Sequence, residues 1–158
     1  VDLLQRTINE IRSLSKQLSA PTLGNIRLNH SVRELVDTIT ATNTIAIALN
    51  TGEMDHLEVE EELHLTLYRI LQEHLINVIK HAEATHVEVT LNLTEGGALL
   101  LLVTDNGRGF DTQQKRSGVG ITNMITRAES LSGTLQLSSQ PGKGCTLTAL
   151  LPISHEKV

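Results

Sequence analysis

From Leu3 to Leu18 the apolar residues fall at Leu4, Ile8, Ile11, Leu14 and Leu18, a spacing of three or four that predicts one face of a helix, stopped by Pro21 and Gly24. A second helix is predicted from Ser31 to about Ala41, with Val32, Leu35, Val36 and Ile39 on its apolar side and Ser31 and Glu34 in the form of a capping box. Ile45, Ile47 and Leu49 alternate with small residues and precede Asn50-Thr51-Gly52, which reads as a strand followed by a turn. A long helix is expected from about Val59 to His81, striped by Leu63, Leu67, Ile70, Leu71, Leu75 and Val78. Val87, Val89, Leu91 and Leu93 then alternate with polar residues as in a strand with one buried face, and Glu95-Gly96-Gly97 turns the chain into the apolar strand Ala98 to Val103. Thr104 to Gly120 is polar and glycine-rich and reads as a loop, and a helix is expected from about Ile121 to Leu131. Two final strands, about Thr134 to Ser138 and Cys145 to Leu151, flank the hairpin signal Pro141-Gly142-Lys143-Gly144. This order predicts an α+β fold, a two-layer sandwich with helices on one face of a mixed sheet.

Composition narrows the function classes. The 158 residues carry 13 Lys plus Arg against 18 Asp plus Glu, a net charge of -5, so no broad nucleic-acid footprint is expected. The longest apolar run, Ala98 to Val103, is far short of the ~20 residues of a membrane-crossing helix. The lone Cys145 allows neither an internal disulfide nor a multi-cysteine metal site, which suits a reducing compartment. With Tyr68 and Phe110 as the only aromatic residues, the core must be aliphatic. The start without methionine reads as a piece of a longer chain.

Three clusters offer chemistry. Glu73, Asn77, Lys80 and His81 share one polar helix face, combining an acid, an amide oxygen and potential cations, a set suited to a magnesium-bound phosphate chain. A solvated helix face is the plainer explanation of the same residues. Asp105-Asn106-Gly107-Arg108-Gly109 follows an apolar strand; an Asp there can accept from an exocyclic amine while the glycines admit a flat ligand, although Asn106-Gly107 is equally a hairpin signal. Gly118-Val119-Gly120 precedes a helix, where free amides can hold a phosphate, and Lys115 and Arg116 lie just upstream. A flexible loop end would look the same.

Other site types fail on spacing. No phosphate-binding G-x-x-x-x-G-K-[ST] loop and no G-x-G-x-x-G dinucleotide turn is present, and no G-x-S-x-G elbow occurs. The seven histidines include no H-E-x-x-H and have no companion cysteine pair, so a zinc site is not expected, and His74 reads as a packed core histidine.

The ordered set of three is more specific than its members. Leu67 to Ala82 resembles the N box of sensor histidine kinases, Asp105 to Gly109 their G1 box, and Gly118 to Gly120 their G2 box. The chain is thus similar to the ATP-binding catalytic domain of the gyrase, Hsp90, histidine kinase and MutL superfamily, the Bergerat fold, and Gly118 to Met124 with Arg127 and Ala128 looks most like the nitrate-sensor type with its short lid. The resemblance implies a catalytic domain over residues 25–153, preceded at 1–24 by the end of a dimerisation helix and followed at 154–158 by a tail. It implies ATP and Mg2+ as cofactors, with Asn77 as metal ligand, Glu73 as the catalytic residue, an acid near the attacking or transferring centre, and Lys80 and His81 at the phosphates. Asp105 would bind the adenine amine, with Gly107 and Gly109 shaping the base pocket, and Gly118 and Gly120 would turn amides to the phosphates. Thr146 is implied as an ATP-binding residue, next to the position of the family's adenine-side hydroxyl, which here is Cys145, and His74 and Ile76 are two further departures. The implied partners are the dimerisation and phosphoacceptor domain of the parent chain, a homodimer, and a response regulator, with a cytoplasmic location. The acceptor histidine itself is expected outside this sequence, since His155-Glu156 has no helical setting. Rivals are a gyrase or chaperone ATPase, an anti-sigma serine kinase, and a degenerate docking module without nucleotide.

Overall fold

Alternate residues of the central strands are sealed from solvent while their neighbours are not, and this decides the architecture. In the computed structural model, which describes residues 3–8, 27–52, 54–55, 57–113 and 119–153, five strands form one mixed sheet. They are β1 (Ala46–Asn50), β2 (His86–Leu93), β3 (Ala98–Asp105), β4 (Thr134–Ser139) and β5 (Cys145–Pro152), in the spatial order β1-β2-β3-β5-β4. Only β1 and β2 pair in parallel, as they must when a helix crosses between them; every other neighbour is antiparallel. Val87, Val89 and Leu91, then Leu99, Leu101 and Val103, then Leu147, Ala149 and Leu151 are each at most 1% exposed and line one face. Glu88, Thr104 and Leu150 look out from the other.

Three helices cover the apolar face: α1 (Leu28–Thr42), α2 (Glu61–Asn77) and α3 (Val119–Ser130). The single core joins Val32, Leu35 and Ile39 of α1, Leu67, Ile70, Leu71 and Leu75 of α2, and Met124 and Ala128 of α3 to the strand residues. Burying each such Leu or Ile is worth ~1.5–3 kcal/mol, so aliphatic side chains alone suffice where aromatics are scarce. The α+β two-layer sandwich with helices on one face is therefore the observed fold.

Several boundaries differ from those the pattern predicts. Helix α1 starts a turn early, capped by Arg27 with no side-chain bond, because Leu28 (2% exposed) extends the buried stripe upstream. Ser31 is thus inside the helix and is no cap; its hydroxyl meets His64 Nε2 at 2.7 Å. Strand β3 runs two residues beyond Val103 because Thr104 and Asp105 still pair with Thr146 and Cys145. Helix α2 does not end as an α-helix but widens into a π-helical turn, Val78–Ala82, closed by Glu83 at φ 52°. The predicted helix Leu3 to Leu18 is helical over residues 3–8, and the rest of it, like the boundary at residue 24, Lys115, Arg116, Gly118 and the tail, lies outside the described residues.

Candidate functional site

The π turn and the end of β3 are locked together. Arg108 donates from its backbone N–H to Ala82 O at 2.8 Å and from Nε to His81 O at 2.9 Å. Asn106, rather than forming a hairpin, accepts at Oδ1 from the backbone N–H groups of Thr85 and His86, which ties the loop to the start of β2. Gly107 fits only without a side chain, since a Cβ would stand 2.3 Å from Ala82 O. π turns of this kind recur at functional sites, where one extra residue re-aims the helix end.

Between this clamp and α3 opens a cavity of about 510 Å³, a size common for small-ligand pockets. Asn77, His81, Asp105, Gly109 and Gly120 line it, so all three sequence clusters contribute to one space. His74, Phe110, Ile121, Leu137 and Cys145 supply much of the remaining wall. Glu73 stands at the start of α3: a Cβ on Gly120 would meet Glu73 Oε1 at 2.4 Å and Asn77 Nδ2 at 3.5 Å. Lys80 is exposed and does not line the cavity. Thr146 does not line it either, because alternation along β5 turns Thr146 to the opposite face, where its hydroxyl lies 3.4 Å from that of Thr104. Cys145 takes the inward position, opposite Asp105 in register.

Asp105 is the centre of the floor. It is 4% exposed, and its Oδ1 accepts from the Gly107 N–H at 2.8 Å while Oδ2 is buried with no partner. Burial pushes its carboxyl up from the usual range, against the opposing hydrogen bonds of the Gly107 and Cys145 backbones. His74, also 4% exposed, leaves Nε2 without a partner, and burial lowers its imidazole to about 4. Burial, and next the Asp105 carboxylate, push the Cys145 thiol up to about 11, with the Ser139 contact acting the other way. Such orphaned buried groups cost free energy unless something meets them, and Asp105 Oδ2 and His74 Nε2 are both able to take up a ligand.

Sequence pattern does not single out Leu137 or Ile121 as walls. The resemblance sets Cys145 at the adenine side, and its parity with Leu147, Ala149 and Leu151 is the residue pattern that turns it inward. His74 reads as core in the sequence, and it is buried, yet it also faces the cavity.

The donor set fits the groups the sequence implies. The Asn77 amide and the Glu73 carboxylate both lie near Gly120, and between them they carry the oxygen donors that a hard ion such as Mg2+ takes. Asp105 Oδ2 offers an acceptor to an amine.

Comparison with known proteins agrees with this geometry. Residues 62–155 match the family model described as histidine kinase-, DNA gyrase B-, and HSP90-like ATPase. The chain is 28% identical over 158 residues to an uncharacterized sensor-like histidine kinase of Chloroflexus aurantiacus, covering 96% of this chain and 26% of the relative. It is 30% identical over 154 residues to the oxygen sensor histidine kinase NreB of Staphylococcus carnosus, covering 96% of this chain and 44% of that protein. It therefore spans less than half the length of either relative. Its fold is similar to that of a blue-light activated histidine kinase of Erythrobacter litoralis, with a TM-score of 0.71 at 19% identity over 83% of this chain and 43% of that one. With clusters, fold and sequence match in agreement, the chain belongs to the histidine kinase-, DNA gyrase B- and HSP90-like ATPase family, as an ATP-binding domain of the sensor histidine kinase kind.

Proposed function

We propose that the chain binds Mg-ATP in the cavity and presents the γ-phosphate to a histidine on a dimerisation and phosphoacceptor domain of its parent, for relay to a response regulator. The observation that carries this reading is the single cavity lined by both Asn77 and Asp105, with Asp105 Oδ2 buried and unmet. Asp105 would accept the adenine amine, while Gly107 and Gly109 shape the edge of the base pocket. Asn77 would hold Mg2+, which when bound neutralises phosphate charge. Glu73 would orient the attacking histidine and take its proton, Gly120 and Gly118 would direct backbone N–H groups at the phosphates, and His81, with Lys80 beyond the rim, would add positive charge. Transfer needs mainly such positioning and charge neutralisation.

Among the described residues no helix is long and apolar enough to cross a membrane. A cytoplasmic setting and a homodimeric parent complete the reading, and for the division of the chain we propose 1–24 as dimerisation-helix end, 25–153 as catalytic domain and 154–158 as tail.

Calorimetric titration of the chain with Mg-ATP is the test. Saturable one-site binding is expected, abolished in Asn77→Ala and weakened at least ~10-fold in Asp105→Asn, with each variant's melting curve confirming its fold. Undiminished Mg-ATP affinity in Asn77→Ala would overturn the reading.

A further inference from the structure

Two departures from the resembled family, His74 and Cys145, lie 71 positions apart in sequence and meet the same carboxylate in space. One ligating atom from each of His74, Asp105 and Cys145 lies within 4.8 Å of the others, and all three residues are buried. They reach this point from three elements: His74 from α2, Asp105 from the end of β3 and Cys145 from the start of β5. Strand pairing fixes the last two opposite each other, and Leu71 and Leu75 bury α2 in the core that the strands share.

From this geometry we propose a second ligand class for the pocket floor: a borderline-soft divalent cation of the Zn2+ kind, held by His74, Asp105 and Cys145 with its fourth position open to the cavity.

Two of the three groups hold buried polar atoms with no partner, His74 Nε2 and Asp105 Oδ2, and these point to a ligand independently of the clustering. A cation meets both at once, whereas a single hydrogen-bond donor meets one. Nitrogen, oxygen and sulfur together suit Zn2+ and its neighbours and not Mg2+, which demands oxygen. Ligand atoms within 4.8 Å need only a modest contraction to reach the Zn–S ~2.3 Å and Zn–N ~2.0 Å of a bound ion. A water from the cavity completes a tetrahedron. The thiol binds as thiolate, so each ion taken up releases the Cys145 proton to solvent, leaving the sulfur lone pair on the metal. No electron transfer is involved.

The site also carries a consequence for the nucleotide, which rests on the ATP reading. The Asp105 oxygen that would meet adenine is a ligand of the ion, so the two exclude each other. A sub-stoichiometric rise in Zn2+ would then switch off the fraction of chains it occupies.

Cobalt replaces zinc with a visible signature and is the probe. The reduced, chelator-stripped 158-residue chain is titrated with Co2+, and one ion per chain is expected to give the d–d bands of a tetrahedral site together with a near-ultraviolet thiolate-to-cobalt band, both bleached by Zn2+. Cys145→Ser should remove the thiolate band, and His74→Gln should weaken Co2+ affinity at least ~10-fold. Wild-type protein with no thiolate band overturns the proposal, and needs no variant to do so; an unchanged band in Cys145→Ser overturns it equally. Mg-ATP added to the cobalt-loaded chain should bleach the band at lower concentration than Mg-triphosphate, which chelates metal but lacks adenine. Failure of that arm alone, with the cobalt spectrum intact, counts against the exclusion of nucleotide by metal. A chain that shows the cobalt spectrum and no calorimetric ATP binding defeats the nucleotide reading and leaves the metal site standing.

Discussion

His64 and His74 sit on the same helix, ~15 Å apart along its axis, and both are 4% exposed. Their surroundings differ. His64 Nε2 lies 2.7 Å from the Ser31 hydroxyl, and its pKa, lowered first by burial, is partly restored by Glu61. His74 Nε2 is buried with no hydrogen-bond partner, the residue lines the cavity, and nothing offsets burial. Equal burial therefore has opposite meanings at the two ends of α2. At the first end the polar group is satisfied inside the fold and serves to fix α1 against α2; at the second it has no hydrogen-bond partner. Burial alone does not tell the two histidines apart, and the hydrogen-bond partner does.

The contrast depends on α2 being one rigid body, so the largest effect is expected between the two ends. Leu71 is fully buried, and Leu71→Ala should cost ~2–5 kcal/mol in urea unfolding and disturb both histidines together. A cost below ~1 kcal/mol would mean that the helix is not held as described.

Acid should act next most strongly, and chiefly through the pocket end. The folded pKa of His74, about 4, lies below the unfolded value of 6.5, so between these values the unfolded chain binds the extra proton. The stability carried by the neutral imidazole is thus complete above pH ~6.5 and is lost as pH falls toward ~4, amounting to ~3 kcal/mol at ~1.4 kcal/mol per pH unit. His64 adds a loss of the same sign. Chelator-treated protein followed by chemical unfolding from pH 7.5 to 4 should show this slope, and His74→Leu should flatten it. An unflattened slope would place the acid sensitivity elsewhere.

Removing partners sharpens the comparison further. Ser31→Ala strands a buried His64 nitrogen and should cost ~1–3 kcal/mol while leaving Mg-ATP affinity within about twofold. His74→Leu removes an orphaned group, so it should cost less than Ser31→Ala in stability at pH 7.5 and alter ligand binding instead. The reverse ranking by melting temperature and calorimetry would undo the distinction.

Much of the fold is legible in the amino-acid sequence. Period-two alternation locates β2 and β3, and the Leu63 to Val78 stripe locates α2, because both patterns are local and strong. The N, G1 and G2 clusters predict a shared site, and Asn77, Asp105 and Gly120 do line one cavity. What the pattern misses is non-local. The Ser31 capping box is a local signal, and the burial of Leu28 against the core overrides it. Thr146 takes its expected role from its neighbour's place in a motif, whereas strand parity turns it outward. His74, Asp105 and Cys145 come together from a helix and two paired strands, a juxtaposition that no spacing rule displays.

At the pocket end, the smallest expected effect concerns how α2 closes. Glu83 ends the π turn in the left-handed region at φ 52° and ψ 34°, a conformation that costs a residue with a Cβ about 1 kcal/mol and glycine almost nothing. What Glu83 returns is an ion pair with Arg108 at 3.9 Å, between side chains 63% and 79% exposed, and pairs so open to water contribute little. Arg108 is positioned instead by its bonds to the His81 and Ala82 carbonyls, which survive any change at residue 83. Glu83→Gly should therefore raise stability slightly, by ~0.5 kcal/mol once glycine's greater unfolded entropy is subtracted, with Mg-ATP affinity unchanged. Destabilisation by more than ~1 kcal/mol in thermal melting would mean that the ion pair, and not the backbone clamp, holds the floor of the pocket to the end of the helix.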